Sequence, residues 1–112
     1  MSARLAPMRG TVVAVLIATA GFLACDRHVA RTHGVAMKNF EMVPATIAVA
    51  AGDTVEWTNA DFVPHTATAR DSSWDSKSID GSQTWRFVAR TPGRHEYYCV
   101  FHPNMRGIVD VR

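Results

Sequence analysis

The fold class this sequence predicts is an all-β sandwich of about seven to eight strands. Three observations carry it. Residues with β-branched and aromatic side chains recur in short runs. Turn-forming residues separate the runs, with Gly52-Asp53 and Pro92-Gly93 standing ahead of two of them. Within the runs apolar residues alternate, so that Ile47 and Val49, Val55 and Trp57, and Trp85 and Phe87 each share a face.

The first 24 of the 112 residues stand apart from that pattern. Arg4 and Arg9 precede an uncharged, mostly apolar run over 12–24, the layout of a secretory signal. A buried core helix can share this composition, but the position beside basic residues at the N-terminus favours export, and the run is short for a bilayer. Two processing patterns are present. Ala18-Thr19-Ala20 fits ordinary small-residue cleavage, whereas Phe22-Leu23-Ala24-Cys25 resembles a bacterial lipoprotein signal, with Leu23 larger than usual. Lipidation would account for Cys25, since the chain has two cysteines and Cys99 has a stronger use elsewhere. A free thiol, an intermolecular disulfide and removal with a longer signal are the alternatives. The mature protein is expected in the bacterial periplasm or on the outer face of the membrane, attached there if Cys25 carries lipid.

Residues 25–34 are polar, lack an apolar period and read as a linker, with His28 and His33 as solvated side chains. The domain is expected over 35–112. Its strands are predicted at 35–40, 46–50, 54–59, 65–69, 84–89, 94–99 and 107–112. Over 70–83 a polar stretch carries Trp74 and Ile79, which would pin a long connection to the sandwich. Trp57 and Trp85 read as core residues. So small a core would gain from a bound metal.

Twelve Lys and Arg face ten Asp and Glu, and the formal charge of +2 resides in Arg4 and Arg9. Without that segment the charges cancel, so no nucleic-acid partner is expected. No catalytic triad, phosphate loop or paired carboxylates suggest an enzyme.

The chemistry concentrates in Tyr97-Tyr98-Cys99-Val100-Phe101-His102-Pro103-Asn104-Met105-Arg106-Gly107. This segment joins two predicted strands, so a thiolate, an imidazole and a thioether project from one short loop. His65, behind Pro64, is placed to add a fourth donor. Two imidazoles, a thiolate and a weak axial thioether make the donor set of blue-copper electron-transfer sites. Zinc accepts the Cys and His donors but gains little from Met105.

Together with Gly52-Asp53-Thr54-Val55-Glu56-Trp57-Thr58-Asn59, Val63-Pro64-His65 and Pro92-Gly93, the loop resembles the cupredoxins, the type 1 blue-copper family. Its length is most like that of amicyanin; plastocyanin has a longer His-to-Met spacing. The resemblance spans about 35–112. It implies a Greek-key sandwich, one copper ion per chain and a one-electron carrier, with His65, Cys99 and His102 as strong ligands and Met105 as the axial one. Asn59 matches the residue that ties the two ligand segments together near the Cys sulfur. Val100 stands where relatives often carry Thr or Ser. Phe101 replaces a proline and offers a backbone N–H toward the Cys99 sulfur.

The resemblance also implies a docking patch around His102, comprising Val63, Pro64, Phe101 and Pro103, with Met42 more simply a core residue. Redox proteins would dock there on a monomer. Tyr98, next to Cys99, marks a weaker second route. A copper-delivery protein is the competing reading, and would want exchangeable, open ligands.

Overall fold

The computed structural model describes residues 2–21 and 27–112. Residues 2–21 are exposed and have no regular structure. Among the described residues no helix is long and apolar enough to cross a membrane. Cys25, with its expected lipid, lies outside the described residues.

Eight strands follow in order: β1 Thr32–Lys38, β2 Glu41–Val43, β3 Thr46–Val49, β4 Thr54–Asn59, β5 Thr68–Ala69, β6 Thr84–Val88, β7 Gly93–Tyr98 and β8 Arg106–Val111. They form two four-stranded sheets, ordered β2-β1-β4-β6 and β3-β8-β7-β5. β1 runs parallel to β4 and β3 parallel to β8, while the remaining pairs are antiparallel. The expected all-β sandwich is the observed fold.

The inward faces follow from alternation. Val55, Trp57 and Asn59 on β4 are buried, as are Val109 and Val111 on β8, whereas Ile108 and Asp110 are only partly covered. At the centre Trp57 packs edge-on against Tyr97, with ring centroids 5.3 Å apart, and Trp74 and Trp85 flank it. Such burial of aromatic rings supplies much of a small domain's apolar gain. Trp85 is only partly buried, packed against the core rather than within it. Tyr97 lies so close over its cross-strand partner Gly107 that a Cβ there would stand 2.5 Å from the Tyr97 hydroxyl. Burial pushes that hydroxyl's pKa up to about 12.

Three expectations need correction. First, the strand expected at 65–69 shrinks to Thr68–Ala69. His65 and Ile79 exchange backbone hydrogen bonds of 3.1 and 2.7 Å, and Ser76 N–H donates to the Ala67 carbonyl. The segment therefore pairs with the connection that Trp74 and Ile79 anchor in the core. Second, β2 is an added strand, joined to β1 by a two-residue turn at Asn39 and Phe40, both with positive φ (52° and 59°).

Third, ordered pairing begins at Thr32, inside the span read as linker. His28 and His33 are not free in solvent. Their Nε2 atoms donate to opposite oxygens of Asp53 at 2.6 and 2.8 Å, and the N–H groups of Arg31 and Ala50 also donate to that carboxylate. Asp53 is 2 % exposed. The His28 bond, then those of Arg31, His33 and Ala50, hold its carboxyl far below the usual carboxylate range against the desolvation that opposes them. The first and last residues of β4 are about 17 Å apart along the strand, so Asp53 marks one pole of the sandwich and Asn59 the other.

Candidate metal centre

Two chain segments meet at the Asn59 pole. One is the loop after β4, which Asn59 shapes: its amide donates to the carbonyls of Val63 and Ile79 at 2.8 Å each, and its oxygen accepts the Asp61 N–H at 2.9 Å. This fixes Pro64 and His65 beside Ile79. The other is the loop between β7 and β8. It closes through His102 N–H to the Cys99 carbonyl (3.2 Å), Met105 N–H to the His102 carbonyl (2.8 Å) and Cys99 N–H to the Met105 carbonyl (2.9 Å).

Cys99 Sγ lies 3.8 Å from Nδ1 of His65 and 3.8 Å from Nδ1 of His102. All three donor atoms fall within 4.8 Å of one another. A triangle of those dimensions has a centre about 2–2.5 Å from each corner, the range of metal–nitrogen and metal–sulfur bonds. His65 and Cys99 are fully buried, Met105 is 2 % exposed and His102 is half-buried. The donor set and its spacing are consistent with a type 1 copper site.

The segments are tied together by Thr66. Its N–H donates to Cys99 Sγ at 3.3 Å, and its hydroxyl accepts the Val100 N–H at 2.9 Å. That hydroxyl in turn contacts Thr68 at 2.9 Å, and Thr68 donates to Asp75. The tie expected of Asn59 is thus made elsewhere: Val100 has no hydroxyl to offer, and the Asn59 amide is taken up by Val63 and Ile79. Among the described residues the N–H that reaches the sulfur comes from Thr66, not from Phe101.

Asp61 and Phe40 also belong to this pole. Asp61 accepts the Nε2–H of His65 at 2.8 Å and the N–H groups of Asn39 and Phe40 at 2.8 and 3.0 Å. The Phe40 N–H is the main cause that lowers the Asp61 carboxyl's pKa, with His65 and Asn39 adding to it against desolvation. The Phe40 ring stands edge-on to His65 and His102, with centroids 5.4 and 4.9 Å apart.

Of the residues expected to form the patch around His102, Val63, Pro64, Phe101 and Pro103 are exposed, as is Phe40, whose ring lies against His102. Met42 is 3 % exposed and sits in the core. Tyr98 is half-buried beneath the Arg70 guanidinium, 4.6 Å from its ring centroid. His95 donates from Nε2 to the Thr91 carbonyl at 2.8 Å.

Comparison with known proteins places this architecture. The model of the cupredoxin-like domain matches residues 11–111. The chain belongs to the cupredoxin-like family. This cupredoxin is 31% identical over 70 residues to amicyanin-alpha of Methylorubrum extorquens, a match covering 58% of this chain and 59% of that protein. It is 24% identical over 82 residues to the amicyanin of Paracoccus versutus, covering 69% and 62%. The matches thus span about three-fifths of these curated relatives' length. Among solved structures, a purple cupredoxin from Nitrosopumilus maritimus superposes with a TM-score of 0.67 at 27% identity, covering 70% of this chain and 98% of that one. A copper(I) form of an amicyanin variant gives a TM-score of 0.68 at 23% identity, over 72% and 82%, a likeness of fold.

Proposed function

We propose that this cupredoxin is a one-electron carrier with a single type 1 copper that His65, Cys99, His102 and Met105 would hold. The observation that carries the reading is the convergence of two imidazole Nδ1 atoms on one buried thiol. When bound, copper would supply the Cu(II)/Cu(I) couple, with the soft thiolate favouring the reduced ion and the imidazoles accommodating the oxidised one. The residues contribute rigidity: the Thr66 hydrogen bonds and the closed Cys99 to Met105 loop keep the donors in place, so little must move when an electron does. Burial of Cys99 argues against ready exchange and hence against a delivery role.

The test is to add Cu(II) to the purified protein. An intense blue thiolate band and reversible cycling are expected; a colourless or rapidly exchanging complex would favour delivery instead.

Electrons would pass through the partly exposed His102, beside Phe40 and the patch residues Val63, Pro64, Phe101 and Pro103. A small dry contact that forms and breaks quickly suits a carrier. Phe101→Asp is expected to slow electron transfer to a physiological redox partner at least several-fold, with the visible spectrum nearly intact, in stopped-flow measurements. Unchanged kinetics would remove the patch from the mechanism. Export through the N-terminal signal, with attachment through lipidated Cys25, belongs to the same proposal. Mass spectrometry of the mature N-terminus tests it.

A further inference from the structure

We propose that Asp61 is a positioning residue for His65, setting the balance between the two copper oxidation states; this rests on the copper reading above. The Asp61 carboxylate lies 2.8 Å from Nε2 of His65, on the side of the ring away from Cys99. A carboxylate only accepts, so it holds the proton on Nε2 and leaves the Nδ1 lone pair toward the thiol. Its negative charge makes the imidazole a stronger donor, which favours Cu(II) over Cu(I).

The carboxylate is held as firmly as the ring it orients. The Asp61 N–H is fixed by Asn59, and its oxygens take the Asn39 and Phe40 N–H groups. Those two residues occupy the left-handed region, which is uncommon for a phenylalanine and costs energy that the convergent hydrogen bonds offset. The held turn is the one that sets the Phe40 ring against both imidazoles. One acidic side chain thus fixes the tautomer of the buried histidine and the position of the ring beside both. Asp61 is 13 % exposed, so its charge acts through a partly dry path.

Asp61→Asn removes the charge with little change of shape. In the copper-loaded full chain it should shift the Cu(II)/Cu(I) affinity ratio about tenfold toward Cu(I), raising the reduction potential by about 59 mV. Asp61→Glu, which restores the charge, should recover part of the difference. An unchanged potential in Asp61→Asn, with faster amide exchange at Asn39 and Phe40, would make Asp61 a turn anchor only and overturn the proposal. Should that variant not fold, the wild type loaded with Zn(II) decides: a slowly exchanging, hydrogen-bonded His65 Nε2–H is expected by NMR, and a freely exchanging one would overturn it. Failure of the wild type to develop the blue band would instead overturn the copper reading.

Discussion

Cys99→Ser is expected to abolish the blue band and the reversible one-electron couple while the sandwich stays folded. The serine hydroxyl is nearly isosteric, but it does not ionise at neutral pH, and oxygen does not stabilise Cu(I) as sulfur does. Both halves of the couple are therefore lost. The fold should survive because the hydroxyl can still accept the Thr66 N–H that now reaches Sγ. Burying it costs about 1–3 kcal/mol against a typical domain stability of about 5–15 kcal/mol. Absorption spectroscopy and voltammetry give the first result, and thermal unfolding gives the second. A variant that stayed blue would remove Cys99 from the ligand set.

Asp53→Asn should lower the thermal midpoint at neutral pH and flatten the acid branch of the stability curve. In the wild type the folded carboxyl titrates well below its unfolded value of about 3.9. Its contribution is thus complete above about pH 4 and is lost as pH falls from there toward the folded value, because the unfolded chain binds the proton first. An amide at this position offers one oxygen where four donors now converge, so the bonds from His28, Arg31, His33 and Ala50 cannot all persist. Urea unfolding from pH 2.5 to 7 tests this. Parallel pH profiles in the two proteins would show that Asp53 is not the source. The copper spectrum should be unaffected, since β4 separates Asp53 from the metal pole.

Much of this was legible in the sequence because strands β3, β4 and β6 announce themselves by alternation, through Ile47 and Val49, Val55 and Trp57, and Trp85 and Phe87. The Cys99 to Met105 loop was legible because its donors are close in sequence. What could not be read depends on partners distant along the chain. β2 is three residues long, too short for a period. Thr66 had only its place beside His65 to signal it, and the missing hydroxyl at Val100 was the hint that another must serve. Asp61 and Phe40 meet His65 only once the β1–β2 turn folds over the loop after β4. His28 and His33 looked solvated because their shared acceptor, Asp53, lies 20 or more residues on.

The parallel pairing of β1 with β4 also gives the molecule a handle. Because Thr32 aligns with Thr54 and Met37 with Asn59, the chain enters the sandwich at the pole clasped by Asp53 and runs toward the pole that holds His102. Any leash through residues ahead of Thr32 would therefore grip the domain by its blunt end. The His102 edge would swing outward on the free end, turned toward whatever diffuses past.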